Sequence, residues 1–133
     1  MRERAFGLGK SISRIMEAIV TGKPFKIGGN VINNGLIPNL PADACVEVPC
    51  FVDKSGITPT YVGPLPTQLA AMNSSNIYPQ MLTIEAAVTG KIETLYQAAM
   101  MDPHLQSELS IDDIVSLCDD LIVAHEGWLP QYP

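Results

Sequence analysis

Val48-Pro49-Cys50-Phe51-Val52, then Asp53-Lys54-Ser55-Gly56, then Ile57 onward, is the segment on which the fold turns. Apolar residues flank a short polar break. Aspartate at the start of the break and glycine at its end suit a type I turn followed by a left-handed residue. The segment therefore reads as a β-hairpin. Pro49 and Pro59 cannot donate ladder hydrogen bonds, so both are expected at edges or bulges. Upstream, Val31-Ile32, Leu36-Ile37 and the run from Cys45 are also apolar. Asn33-Asn34-Gly35 and Leu40-Pro41-Ala42-Asp43 punctuate them. Residues 25–62 read as strands.

Helices flank this region. In residues 2–21, Ile12, Ile15, Met16 and Ile19 repeat at the spacing of one buried helical face. Gly22 and Pro24 stop that helix. Residues 65–89 read as a second helical stretch with Leu69, Met72, Ile77, Leu82 and Val88 apolar, and Pro79 is expected to kink or break it. Residues 91–101 form a short third helix that Asp102-Pro103 ends. Ser110-Ile111-Asp112-Asp113 approximates a capping box and opens the last helix. That helix has Ile114, Leu117, Cys118, Leu121 and Ile122 as its buried face and ends at Gly127. Glu17-Ala18-Ile19-Val20-Thr21-Gly22-Lys23 is echoed by Glu85-Ala86-Ala87-Val88-Thr89-Gly90-Lys91, which reads as one helix-ending chemistry used twice. The pattern predicts an α+β fold: a small antiparallel or mixed sheet packed with an N-terminal helix and three C-terminal helices. The whole chain, 1–133, reads as a single domain.

Composition narrows the partners. The 133 residues are 47% hydrophobic but only 17% charged, and the net charge is −6. Few charges on a small domain suggest a face covered by another domain or subunit. A phosphate-backbone binder needs clustered cations. The eight basic residues are sparse, and Arg2, Arg4, Lys10 and Arg14 make up half of them. Nucleic acid is thus not an expected partner. No run approaches a membrane span, and residues 1–20 do not build a signal peptide. Three cysteines, an odd number without a secretion signal, point to reduced thiols in the cytoplasm. Cys45 and Cys50 should face opposite sides of a strand. All three cysteines read as small buried apolar residues.

Chemistry is sparse. His104 reads as a loop residue, and His125 as a partner of its own helix C-terminus. Neither has metal-pair spacing to another ligand. No serine sits in a nucleophile elbow, and Gly7-Leu8-Gly9 and Gly28-Gly29 lack the context of a dinucleotide loop. Glu47, between Val46 and Val48, reads as the outward face of a strand. The asparagines Asn30, Asn33, Asn34 and Asn39 form the most polar stretch in the sheet region. Asparagine can line a sugar site with its paired donor and acceptor, and it is equally a turn residue.

Several ordered segments carry a resemblance. Gly29-Asn30-Val31-Ile32-Asn33-Asn34-Gly35-Leu36-Ile37-Pro38-Asn39-Leu40-Pro41 is similar to the C-terminal part of family-4 glycoside hydrolases. So are Asp43 to Cys50, Val52 to Ile57, Gly63-Pro64-Leu65-Pro66, Leu69 to Asn73 and Thr83 to Ala87. Ala98 to His104 and Ala124 to Pro130 complete the series. The resemblance covers nearly the whole chain and lies closest to the family's bacterial α-galactosidases. Pro79 stands where such enzymes usually continue a helix. An acidic and an aromatic residue are usual in the family where Lys10 and Ser11 align.

The resemblance implies a fold and a function. These enzymes carry an N-terminal Rossmann domain for NAD, then a mixed domain like that of lactate and malate dehydrogenases. They cleave O-glycosidic bonds outside the two-carboxylate scheme. NAD takes hydride from C3 of the sugar, a base removes the C2 proton, a divalent metal (usually manganese) steadies the enediolate, and the aglycone leaves. Water then adds and the hydride returns. The metal's Cys and His ligands and the tyrosine base lie upstream of the matched region. Cys45, Cys50, His104 and His125 do not align with them, so no catalytic, cofactor or metal residue carries over. The expectation is an α-galactosidase-like C-terminal domain, inactive alone, without the Rossmann half and without NAD or manganese of its own. Arg4, Asn30 and Asn33 are the residues expected near the sugar. Self-association into a homo-oligomer is expected. The alternative is a non-catalytic interaction protein derived from such an enzyme.

Overall fold

The computed structural model describes residues 7–129. Its Cα packing divides into two compact units, Met1–Leu65 and Pro66–Pro133.

The first unit runs α1 (Gly7–Thr21), β1 (Phe25–Ile32), β2 (Cys45–Asp53) and β3 (Gly56–Pro59). The strands form one antiparallel sheet in the order β1-β2-β3. The expected hairpin is there: Asp53 pairs with Gly56, and the Asp53 carboxylate accepts the Ser55 N–H at 2.7 Å. Strand alternation on β2 buries Val46, Val48, Cys50 and Val52 and leaves Cys45, Glu47 and Phe51 exposed. The helix α1 packs on β2 and β1. Ala18, Ile37, Leu40 and Ala44 complete this core.

Three expectations need correction here. The apolar stripe of α1 is not the buried face: Ile12, Met16 and Ile19 are 58%, 63% and 48% exposed, while Ala18 is 2% exposed. Periodicity locates an apolar stripe but not what covers it, and the helix meets its sheet through a small side chain, with Arg14 over the Phe25 ring. Pro49 lies on the central strand rather than an edge. It is tolerated because its backbone faces Thr60, just past the end of short β3: its carbonyl accepts the Thr60 N–H at 2.9 Å and hydroxyl at 2.7 Å. Cys45 is exposed, and only Cys50 and Cys118 are buried.

The second unit is helical: α2 (Thr67–Thr89), α3 (Ile92–Met100), α4 (Pro103–Glu108) and α5 (Ile111–Ala124). Its core is Ala70, Ala86, Thr94, Ala98, Ile114 and Cys118. Among the described residues there are thus four helices after the sheet, not three. Asp102-Pro103 ends α3 and also begins α4: the Asp102 carboxylate caps the His104 and Leu105 N–H groups at 2.9 and 3.0 Å, and proline suits the first helical position. His104 is therefore helical. Pro79 does not break α2, which runs on to Thr89. A mid-helix proline costs about 3 kcal/mol, and here its ring is buried. The Ser110 hydroxyl caps α5 through the Asp113 N–H as expected. Its Leu121 is 46% exposed, so the buried side of α5 is narrower than the apolar pattern.

The two echoed heptads end their helices alike. Thr21 and Thr89 each donate to the carbonyl four residues back, at 2.7 Å in both cases. Gly22 and Gly90 follow at φ of 76° and 70°, a left-handed turn that favours glycine. Their N–H groups bond to Ala18 and Ala86, each at 2.9 Å. The Lys23 and Lys91 N–H groups then donate back to the two threonines.

Candidate functional site

Asn30 stands on the outward face of β1, exposed, opposite Glu47 on β2. Lys26 and Gly28 share that face. The Glu47 side chain leans across Gly28, so close that a Cβ there would lie 2.6 Å from Oε1. The result is a shallow, open depression lined by Lys26, Ile27, Gly28, Glu47, Val48 and Pro49. Together with Asn30 on the same face of β1, it offers an ammonium, a carboxylate and an amide, the groups that recognise hydroxyls.

Asn33 is fully buried, at 0% exposure. Its Nδ2 donates to the carbonyls of Ile37, Leu40 and Pro41 at 2.9, 3.1 and 2.9 Å. Its Oδ1 accepts the Ile37 N–H at 2.7 Å. The amide is committed to folding loop 33–44 and presents nothing outward. Asn39 similarly clasps the Leu65 backbone through both amide atoms. The asparagine-rich stretch therefore contains loop fasteners as well as the exposed Asn30. Arg2 and Arg4 lie outside the described residues.

The helical unit holds a groove of about 640 Å³ between α2, α3 and α5. Leu95, Ala98, Leu121 and Leu129 make it apolar, and Thr83, Asp102 and His125 add polar points. His125 turns its Nδ1 to the Leu121 carbonyl at 2.8 Å, as its position at the helix end suggested. Cys118 also borders the groove. Burial, with Asp119 adding to it, pushes its thiol up, which disfavours the thiolate.

Tyr96 of α3 donates its hydroxyl to the Asp119 carboxylate of α5. No spacing in the sequence foretold this pair, because its members are brought together only by packing of the two helices. The hydrogen bond, then burial, then the Asp119 charge hold the tyrosine above its usual value. A folded value above the unfolded value of about 10 means stabilisation present below that pH and lost as pH rises through the folded value. Tyr96→Phe should therefore lower the urea midpoint at neutral pH and lose that deficit in strong alkali. An equal deficit at both pH values would show that the pair is not the cause.

No group of three His, Cys, Asp or Glu among the described residues could hold a metal ion. The three cysteines also divide between an exposed face and two separate cores. The described residues therefore do not fit a manganese site. No helix among the described residues is long and apolar enough to cross a membrane.

The comparisons point one way. The model for the family 4 glycosyl hydrolase C-terminal domain matches residues 2–105. An α-galactosidase of Bacillus subtilis is 60% identical over 120 residues, which are 90% of this chain and 28% of that enzyme. An α-galactosidase of Rhizobium meliloti is 41% identical over 90% of the chain and 24% of its own length. The solved 6-phospho-α-glucosidase from gut microorganisms, in complex with NAD and glucose-6-phosphate, superposes with a TM-score of 0.81 at 29% identity. That match covers 95% of this chain and 28% of the other. The chain thus spans about a quarter of the length of the curated relatives named here.

Proposed function

Since this chain belongs to the family 4 glycosyl hydrolases, as their C-terminal domain, we propose that it is the supporting part of an NAD- and manganese-dependent α-galactosidase and is inactive alone. The observation that carries this reading is a fold that superposes with a TM-score of 0.81 on part of a solved 6-phospho-α-glucosidase, and whose described residues include no group of three His, Cys, Asp or Glu that could hold a metal ion. Galactosides are the favoured substrates because the relatives at 60% and 41% identity are both α-galactosidases. The NAD fold, the metal ligands and the base come from a Rossmann half outside these residues. Asn30, on the polar outward face of β1, and Arg4 are the residues of this chain proposed to lie near the sugar. The whole enzyme acts in the cytoplasm, in keeping with three thiols and no disulfide.

The broad exposure of Ile12, Met16, Met72 and Val88 supports the view that further protein covers these surfaces. The same exposure favours the second reading, an interaction protein descended from such an enzyme. A chimera separates the two. The matched segment of the Bacillus subtilis α-galactosidase is replaced by this chain, and hydrolysis of a nitrophenyl α-galactoside is followed with NAD and manganese. Turnover by the chimera and none by the isolated chain is the expected result. A folded chimera that binds NAD but does not turn over would favour the interaction protein. Saturable NAD binding by the isolated chain would overturn both.

A further inference from the structure

The sheet has two edges, and they differ. β3 is four residues long and ends in Pro59. Brevity and proline are standard ways to blunt an edge. β1 is eight residues long, contains no proline and carries one charge, Lys26.

The backbone of β1 shows which groups face outward. In an antiparallel ladder, successive residues turn their N–H and C=O alternately to either side. The Asn33 N–H donates to the Ala44 carbonyl at 2.9 Å, continuing the β1–β2 ladder. Counting back by alternate residues, Val31, Gly29, Ile27 and Phe25 address β2. Lys26, Gly28, Asn30 and Ile32 address the open side. Pro49, the register partner of Gly28, agrees, because its carbonyl turns away from β1 to Thr60. Among the described residues no strand pairs with this edge.

We propose that the open edge of β1 pairs antiparallel with β1 of a second copy, about a two-fold axis at Gly28, joining the two sheets into one. Opposed residues must share a face and both turn their backbones to the edge, which restricts the pairing to these four positions. The axis at Gly28 sets glycine against glycine, where two backbones approach without side chains. It also sets Lys26 of each copy opposite Asn30 of the other. Glu47 lies beside Asn30 on β2 and already leans across Gly28 toward the edge. Each Lys26 ammonium is then within reach of the other copy's Glu47 carboxylate, and two carboxylates alternate with two ammonium groups around the axis. This pairing does not depend on the glycosidase reading.

Sedimentation of the intact chain tests it, with hydrogen exchange read at single amides. The expected result is a dimer in which the Gly28, Asn30 and Ile32 amides are protected. Asn30→Pro removes an N–H that the β1–β2 ladder does not use, and should weaken dimerisation by about tenfold. Lys26→Glu should weaken it similarly, and adding Glu47→Lys should restore it. A monomeric wild-type chain, or a dimer with freely exchanging edge amides, overturns the proposal even if a variant fails to fold. A charge swap that folds but does not restore the dimer overturns the axis at Gly28.

Discussion

Asn33→Asp is expected to cost about 3–5 kcal/mol, near the whole stability of many small units. The change is nearly isosteric, so packing is not the cause. The asparagine amide points at the Ile37, Leu40 and Pro41 carbonyls, with two hydrogens shared among three acceptors. Aspartate places a carboxylate oxygen there instead. Four oxygens then face one another at a position with no exposure to water, and a buried charge without a partner is costly. Asn33→Ala should be milder, at about 3 kcal/mol, since it leaves groups unpartnered without adding a charge. Urea unfolding followed by circular dichroism gives both values. A shift below about 1 kcal/mol for Asn33→Asp would mean that the amide does not hold the loop.

In the helical unit the largest loss is expected at Ile114, which is 1% exposed. Ile114→Ala should cost about 3–4 kcal/mol, from lost transfer energy and the cavity left behind. The unit's other core residues include Ala70, Ala86 and Ala98, so much of its apolar burial rests on this one large side chain. Ile111 on the same helix is the internal control. It is 67% exposed, and its alanine variant should change stability by less than about 0.5 kcal/mol. Equal effects at the two isoleucines would show that α5 is packed on a different face.

What the sequence made legible was local chemistry. The Asp53–Gly56 turn, the Ser110 cap and both glycine helix ends are each decided within a few residues, so their signals sit next to the structure they cause. The sheet followed from them. Harder to read were features that depend on what lies across from a residue. The α1 stripe was visible, but its covering was not, and the helix turned Ala18 to the sheet instead. Pro49 could not be placed until the length of β3 was known. Asn33 and Asn30 are the same residue type three positions apart, yet one is a sealed fastener and the other an exposed amide. Only the alternation of β1 and the course of loop 33–44 separate them. Tyr96 and Asp119 meet across two helices and left no trace in spacing.

The paired heptads have one more consequence. Every bond that stops α1 and α2 lies within residues 17–23 or 85–91. These stops need nothing from a distant part of the chain. Helical turns form in well under a millisecond, before distant segments of a chain settle against each other. A nascent polypeptide emerging from the ribosome can therefore punctuate both helices while the rest is still unmade. Either seven-residue segment, transplanted behind an unrelated helix, should end it in the same left-handed turn.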